Sequence, residues 1–240
     1  MSRRRSFAIR AAVRPGALAA VGAAAFVALL VTVERGTGLA SLDPQVTRRA
    51  VGLRAPLLDA VAQVVTFFGS ESWLAAVTVI AAGILFIRAE RFRAAVVIVS
   101  MAASAASTVV IKLVVNRPRP GALIELGAPE ASFSFPSGHT LNSTVCYGIV
   151  ALMVLPLLKS RGARITMGAA VGILIIAVGS SRLYLGYHWA TDVLAGWTLG
   201  LGILGLAITA ATVWMRSSWT RPSRPRISPD RPSVSTRPDS

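Results

Sequence analysis

Apolar stretches long enough to cross a bilayer recur along this chain of 240 residues. A membrane-spanning helix needs about 20 predominantly apolar residues, because each residue adds about 1.5 Å and the hydrocarbon core is about 30 Å thick. Six stretches approach that length: residues 16–33, 73–87, 94–111, 139–158, 165–180 and 193–214. The sequence therefore predicts an all-α integral membrane protein, a bundle of about six transmembrane helices.

The composition favours a membrane protein over a nucleic-acid-binding one. Hydrophobic residues make up 54% of the chain and charged residues only 15%. The formal net charge of +15 would indicate nucleic acid in a soluble protein, but here the arginines flank apolar stretches. Positive flanks are typical of membrane helices, so we expect the lipid bilayer, and no nucleic acid, as a partner.

The chain divides into three parts by composition. Residues 1–14 are basic, residues 15–215 carry the apolar stretches, and residues 216–240 are rich in Arg, Pro and Ser. The last part has almost no large apolar residue, which predicts a disordered, solvated tail. The first apolar stretch is also compatible with a signal peptide, but its length and the charged pair Glu34 and Arg35 after it favour a retained helix.

Residues 57–68 show a different helical pattern. Apolar side chains recur there at spacings of three and four residues, with Asp59, Gln63 and Thr66 between them. This periodicity predicts an amphipathic helix that lies on the membrane surface or against the bundle.

The distribution of basic residues predicts the orientation of the bundle. Both termini of a six-helix bundle lie on one side, together with segments 88–93 and 159–164. These four segments carry 17 of the 25 Lys and Arg residues. The positive-inside rule therefore places them in the cytoplasm, and it puts the amphipathic helix on the extracytoplasmic face of the cytoplasmic membrane.

Three polar clusters fall on that extracytoplasmic face. The first lies between Lys112 and Arg119, the second is Pro-Ser-Gly-His at 136–139, and the third begins with Ser181 and Arg182. Together with Arg117, these clusters place four cations where the positive-inside rule expects few. The excess positive charge indicates a bound anion.

The Pro-Ser-Gly-His sequence lies at the start of the fourth apolar stretch. Ser137 can cap that helix, and Gly138 lets a ligand approach the backbone. Free N–H groups and the helix dipole at an N-terminus favour a phosphate, and His139 in the first turn would face the same ligand. The alternative interpretation is a capping turn with an interfacial histidine.

His188 and Asp192 are four residues apart, so on a helix they would share one face. A carboxylate on one imidazole nitrogen fixes the tautomer and leaves the other nitrogen free as a nucleophile. Arg182 precedes His188 on the same loop, and its fork of donors suits phosphate oxygens. The alternative interpretation is a surface ion pair at the start of the sixth helix. No metal-binding motif accompanies these residues, so we expect neither a metal nor a cofactor.

Taken together, the three clusters resemble the motifs of the type 2 phosphatidic acid phosphatase superfamily, which includes bacterial acid phosphatases and vanadium haloperoxidases. The pattern KxxxxxxRP matches residues 112–120, PSGH matches 136–139, and SRxxxxxHxxxD matches 181–192. Every motif position is filled, in the order of the family. The resemblance covers about residues 55–214 of the chain.

The resemblance implies a metal-independent phosphatase with two histidines at its centre. His188 would attack phosphorus and form a phosphohistidine, and Asp192 would orient it. His139 would protonate the leaving oxygen and then activate the water that hydrolyses the intermediate. The phosphoryl oxygens would be held by Lys112, Arg119, Ser137, Gly138 and Arg182.

The preferred hypothesis is a lipid phosphatase that acts at the extracytoplasmic membrane face. Six spans favour a lipid substrate, such as polyprenyl diphosphate, phosphatidic acid or phosphatidylglycerophosphate. Two alternatives stay open. One is a phosphotransferase that passes the same phosphoryl group to an acceptor other than water, and the other is a non-catalytic lipid-binding or transport protein.

Overall fold

The computed structural model describes residues 2–219, and it describes side chains from residue 16 to residue 214. Within this range the regular structure consists of eight α-helices and three short 3-10 helices, without a strand. The α-helices are α1 (Ser2–Arg35), α2 (Asp43–Gly52), α3 (Pro56–Phe67), α4 (Glu71–Ile87), α5 (Arg91–Val115), α6 (Gly138–Val154), α7 (Arg161–Tyr184) and α8 (Ala190–Trp219). The 3-10 helices are Gly38–Leu42, Ala122–Ile124 and Leu155–Leu157. The all-α prediction is confirmed.

Five helices are long and apolar enough to span a membrane. They are Gly16–Arg35 within α1, α5, α6 with its 3-10 extension, α7, and Ala190–Trp214 within α8. The predicted second span corresponds to α4, an apolar helix of 17 residues. At 1.5 Å per residue α4 is about 25 Å long, near the lower limit for a crossing. All six predicted apolar helices are therefore present, five of them long and one short.

The chain between α1 and α4 forms two helical segments, Gly38–Gly52 and Pro56–Phe67, which meet at a bend of 118°. The second of them, α3, confirms the helix predicted from the pattern of apolar residues. α3 packs against α7, and Ala62 is buried with Leu185 and Tyr187. α3 therefore covers the chain that follows α7.

The centre of the bundle is α6, which contacts α4, α5, α7 and α8. The apolar core around it consists of Ala82, Val97, Leu141, Val145, Ile149 and Leu204. Gly196 and Gly200 bring α8 close to α6. A Cβ on Gly196 would lie 2.8 Å from Thr140 Cβ, and a Cβ on Gly200 would lie 2.7 Å from Thr144 Cβ. Small residues at such a contact are typical of membrane helices, which lack a hydrophobic driving force between them.

The first helix, α1, lies along α8 and is part of the same core. A Cβ on Gly22 would come within 2.6 Å of a backbone nitrogen of α8, so the two backbones are in close contact. Phe26 and Leu29 are buried with Phe135 and Ala195. The retention of this helix after membrane insertion stays a prediction.

Three predicted boundaries differ from those in the structure. α1 begins at Ser2, so the basic N-terminus continues into the first span. α7 continues to Tyr184. α8 continues to Trp219, so residues 216–219 are helical where we predicted disorder, and the rest of the predicted tail lies outside the described residues. The physical reason is that hydropathy marks the thickness of the bilayer, whereas a helix continues as long as its backbone hydrogen bonds do.

Candidate active site

The three polar clusters meet at one end of the bundle. Lys112 lies in the last turn of α5, His139 in the first turn of α6, Arg182 in the last turn of α7 and Asp192 in the first turn of α8. A cavity of about 360 Å³ opens between them. It is lined by Glu71, Lys112, Glu130, Ala131, Ser132, Gly138, His139 and His188. The structure thus places both histidines and Lys112 around one polar cavity.

His188 and Asp192 form the predicted pair, but not on one helix face. α8 begins at Ala190, so His188 lies in the turn before it. Asp192 Oδ2 lies 3.3 Å from His188 Nδ1 and accepts a 2.9 Å hydrogen bond from the backbone N–H of Trp189. A carboxylate at the third helical position that accepts the N–H of the capping residue is half of a capping box. The cap of α8 therefore holds the carboxylate against the histidine.

The imidazole of His188 is buried, and its surroundings disfavour the charged form. Burial, and after it the positive charges of Arg182, Arg119 and Lys112, hold the pKa of His188 well below its usual value. Its Nε2 lies 3.5 Å from Arg119 Nη1, and a guanidinium only donates hydrogen bonds. The tautomer that satisfies both contacts carries its proton on Nδ1, toward the Asp192 carboxylate, and presents the Nε2 lone pair on the cationic side of the site.

The turn that carries His188 depends on a glycine. Gly186 has φ +82, in the left-handed region that side chains other than glycine rarely adopt. A Cβ there would also collide with the backbone carbonyl of Ile124. The glycine therefore lets the chain turn sharply between Arg182 and His188, which puts both side chains at the same site.

Two arginines are fixed beside this turn by acceptors of the protein itself. Arg119 donates to the backbone carbonyls of Ser132 and Tyr187, each at 2.7 Å. Arg182, predicted on a loop, lies in the last turn of α7; it donates to Thr66 Oγ1 at 3.1 Å and stacks over the Tyr187 ring at 4.1 Å. Each guanidinium is therefore held in place independently of any ligand.

Glu130 bridges Arg119 and Arg182, and sequence reasoning did not identify it. Glu130 Oε2 lies 2.6 Å from Arg119 Nη2, and Oε1 accepts a short hydrogen bond from Arg182 Nη2. Burial alone would raise the pKa of Glu130, but Arg182 and Arg119 outweigh it and lower that pKa to about 2. The excess positive charge in the sequence predicted a bound anion, and the Glu130 carboxylate of the chain itself supplies part of that negative charge.

Arg117 is also paired within the protein. Its guanidinium lies 2.7 Å from Asp43 Oδ2 and 2.5 Å from Asp192 Oδ1, and it donates to Thr191 Oγ1 at 2.8 Å. Arg117 matches no motif position, and two buried carboxylates account for its charge without a ligand. Asp43 was missed since nothing near it in the sequence marks a site.

Ser137 and Gly138 differ in their access to the cavity. Ser137 is the predicted N-cap residue of α6, but its side chain makes no capping hydrogen bond and instead accepts from Thr140 Oγ1 at 2.9 Å. Its N–H donates to the backbone carbonyl of Asp192 at 3.1 Å. Gly138 lines the cavity together with His139. The helix N-terminus faces the site through Gly138 and His139, whereas Ser137 joins α6 to α8.

Lys112 lines the same cavity and completes the cation set. Its Nζ donates to Ser132 Oγ at 2.9 Å, and Ser132 Oγ also accepts from Arg119 Nη2 at 3.0 Å. Among the described residues, no group of three His, Cys, Asp or Glu side chains is arranged to hold a metal ion. Chemistry without a metal stays a prediction.

The part of the chain that carries these residues matches a known family. Residues 93–217 match the family model described as the PAP2 superfamily. The chain belongs to the PAP2 superfamily. The matched range contains all three motifs, so the resemblance to type 2 phosphatidic acid phosphatases is confirmed.

Individual PAP2 proteins are similar over most of the chain. Phosphatidylglycerophosphatase B of Bacillus subtilis (strain 168) is 32% identical over 182 residues, which cover 73% of this chain and 86% of that protein. The crystal structure of a transmembrane PAP2 type phosphatidylglycerolphosphate phosphatase from Bacillus subtilis has a TM-score of 0.70 at 27% identity, and the match covers 85% of this chain and 99% of that one. The crystal structure of Aquifex aeolicus LpxE has a TM-score of 0.55 at 27% identity, over 69% of this chain and 94% of that one.

These similarities establish the class of protein. The chain is an enzyme, a membrane phosphatase of the PAP2 superfamily, and the non-catalytic alternative is set aside. The multi-pass helical fold agrees with that class.

Proposed function

We propose that the enzyme hydrolyses a phosphate monoester or diphosphate of a membrane lipid through a phosphohistidine on His188. The observation that carries this proposal is the buried imidazole of His188, held between the Asp192 carboxylate and the guanidinium of Arg119. The Nε2 lone pair attacks phosphorus, the bond from phosphorus to the lipid oxygen breaks, and His139 gives that oxygen a proton. Water then attacks the phosphohistidine, the P–N bond breaks, and the water proton passes to His139.

The phosphoryl oxygens have several donors within reach in this proposal. Lys112, Arg119 and Arg182 supply positive charge, and the first N–H groups of α6 have no acceptor within the helix. Arg182 Nε is buried without a hydrogen-bond partner among the described residues. A buried donor left unpaired is costly, so an oxygen ligand at this position would relieve that cost. Ser137 Oγ, deeper in the site, stays a proposed contact.

An apolar cavity next to the site supports a lipid substrate. It has a volume of about 450 Å³ and is lined mainly by residues of α4 and α5. Glu71 borders both this cavity and the polar one, so the two adjoin. Val79 and Val109, on its outer side, are 71% and 57% exposed, so the cavity opens on the surface of the bundle. An acyl or prenyl chain can lie there while its phosphate occupies the polar cavity.

The extracytoplasmic face is the proposed side of action. The catalytic cavity lies where α5 and α7 end and α6 and α8 begin, opposite the connections at 88–90 and 155–160. Those connections and their flanks carry the arginines that the positive-inside rule assigns to the cytoplasm.

Purified enzyme in detergent, with EDTA present, is expected to release phosphate from at least one of three lipids: undecaprenyl diphosphate, phosphatidic acid and phosphatidylglycerophosphate. The similarity to phosphatidylglycerophosphatase B makes the last the first to assay. In right-side-out vesicles, a short-chain phosphatidic acid added outside is expected to be hydrolysed without detergent. Complete inhibition by EDTA would contradict the metal-independent mechanism, and hydrolysis only in inside-out vesicles would contradict the face.

The variant Glu130→Gln is expected to bind orthovanadate, a phosphate analogue, about tenfold more tightly, which corresponds to about 1.4 kcal/mol. The reason is that an oxyanion must displace the Glu130 carboxylate from Arg119 and Arg182, and a neutral amide competes for these cations much less strongly. The measurement is the inhibition constant of vanadate against phosphate release.

Glu125→Gln is the matched control for this variant. Glu125 lies in the same loop, and among the described residues its side chain accepts only the backbone N–H of Glu130, at 3.1 Å. Its substitution should leave the inhibition constant within about twofold. Unchanged or weaker vanadate binding in Glu130→Gln would show that Glu130 does not compete with the phosphate.

A further inference from the structure

Asp43 is a buried carboxylate whose hydrogen bonds all lead to the start of α8 and to Arg117. It is the first residue of α2 and only 1% exposed. Its Oδ1 accepts the backbone N–H of Thr191 at 3.0 Å. Its Oδ2 accepts Arg117 Nη2 at 2.7 Å and a short hydrogen bond from Thr191 Oγ1. Thr191 is the neighbour of Asp192 in the first turn of α8.

Arg117 links Asp43 to Asp192. One terminal nitrogen of the guanidinium contacts Asp43 Oδ2, and the other lies 2.5 Å from Asp192 Oδ1. The central carbon of the Arg117 guanidinium lies over the Trp189 ring, 5.6 Å from the ring centroid. The indole N–H of Trp189 donates to the carbonyl of Pro118 at 2.9 Å. The planar fork of an arginine can hold two carboxylates in one geometry, which a lysine cannot.

The two carboxylate oxygens of Asp192 consequently have different partners. Oδ1 is held by Arg117, while Oδ2 accepts the Trp189 N–H and faces His188 Nδ1. Rotation of the carboxylate would break one of these contacts. Asp43 also shares the charge of Arg117: one guanidinium between two carboxylates leaves one negative charge, which remains available to the imidazole.

We propose that Asp43, acting through Arg117 and Thr191, positions Asp192 and maintains the negative charge that activates His188. This makes the segment before α3 a functional part of the site, although it lies outside the matched range 93–217. The inference rests on the proposed function, because it assumes that Asp192 orients the nucleophile. Asp43 is a positioning residue and touches no reacting atom.

The test begins with Asp43→Asn, which keeps the shape of the side chain but removes its charge. Arg117 is then expected to pair with Asp192 alone and to weaken its contact with His188, so kcat is expected to fall about 10- to 100-fold, the range found when a residue that orients a metal-binding histidine is changed. KM is expected to stay within about threefold, since Asp43 lies outside the substrate cavity. Asp59→Asn is the control, because Asp59 of α3 also joins two helices, by accepting a 2.7 Å hydrogen bond from Tyr184 Oη of α7, but is not among the ion-pair partners of Arg117 or Asp192.

A double-mutant cycle separates positioning from a purely structural role. If Asp43 acts through Asp192, adding Asp43→Asn to Asp192→Asn is expected to change kcat by less than about twofold. An equal loss in both backgrounds would overturn the inference and make Asp43 a structural anchor. Should Asp43→Asn fail to fold, as judged by thermal unfolding in detergent, Arg117→Lys enters the same cycle with the same expected outcome.

The cycle also distinguishes failure of this inference from failure of the proposed function. Wild-type activity in Asp192→Asn would contradict the role of Asp192 itself. A strongly impaired Asp192→Asn together with a fully active Asp43→Asn would overturn only the positioning role of Asp43.

Discussion

His188→Ala is expected to lower kcat for phosphate release by about 10⁴-fold or more, the scale on which enzymes lose activity when a covalent nucleophile is removed. The loss follows because His188 is the side chain that forms the covalent intermediate in the proposed mechanism. Arg119 and Arg182 are cations, and His139 lies on the leaving-group side in the proposed mechanism. The measurement is single-turnover phosphate release together with alkaline-quench trapping of labelled phosphoenzyme, because a phosphohistidine is stable in alkali and hydrolysed in acid; the labelled phosphoenzyme should be absent in this variant.

His139→Ala is the informative comparison, because it removes the other histidine of the chain. With a lipid substrate both variants are expected to be inactive. With p-nitrophenyl phosphate, whose leaving group needs no proton, His139→Ala should still give a burst of nitrophenolate and accumulate phosphoenzyme, whereas His188→Ala should give neither. Phosphoenzyme in His188→Ala, or a burst in that variant, would contradict the assignment of the nucleophile.

Arg182→Lys is expected to reduce kcat/KM by about 10²- to 10³-fold, the usual effect of losing one donor to a developing oxyanion. The side chain is 3% exposed, and its guanidinium contacts Thr66, Glu130 and the Tyr187 ring at once. A lysine keeps the charge but has neither the planar face for Tyr187 nor the fork that joins two acceptors. Parallel measurements of kcat/KM and of vanadate affinity check the prediction.

Arg164→Lys is the control for Arg182→Lys, since Arg164 is an exposed residue at the other end of α7 that donates to the backbone carbonyl of Leu158. It should keep kcat/KM within about twofold. Thermal unfolding of both variants in detergent separates a loss of structure from a loss of catalysis. If folded Arg182→Lys retains kcat/KM within threefold of the wild type, Arg182 does not bind the phosphoryl group.

The helices and the meeting of the three motifs were predictable from the sequence for one physical reason. A bilayer forces each crossing to be a helix of about 20 apolar residues, so the ends of successive helices return to the same face. Motif residues at the ends of α5 and α7 and at the starts of α6 and α8 must then lie at one level of the membrane. The positions of the motifs relative to the ends of the apolar stretches were therefore sufficient to predict that the motif residues lie together.

The partners of these residues were not predictable, because they are joined by contacts between remote segments. Asp43 meets Thr191 at a separation of 148 residues, and Arg182 meets Thr66 at a separation of 116. Glu130 lies in a loop without periodicity, and its role depends on the positions of two arginines that only the fold defines. The start of α8 was misjudged for a local reason: a spacing of four residues is compatible with one helix face and equally with a cap that reaches back to the preceding turn.

The bridge from Glu130 to Arg119 and Arg182 has a consequence for the whole reaction cycle. In the proposed mechanism, any phosphate that enters exchanges places with the Glu130 carboxylate, and the same carboxylate returns when inorganic phosphate departs. The free energy of this exchange is common to lipid phosphate and free phosphate, so it cancels from the ratio of their affinities. The exchange is expected to shorten the residence time of inorganic phosphate, because Glu130 is part of the chain and competes for Arg119 and Arg182 at every moment. We therefore expect Glu130 to prevent a site with so many cations from retaining the inorganic phosphate that it releases.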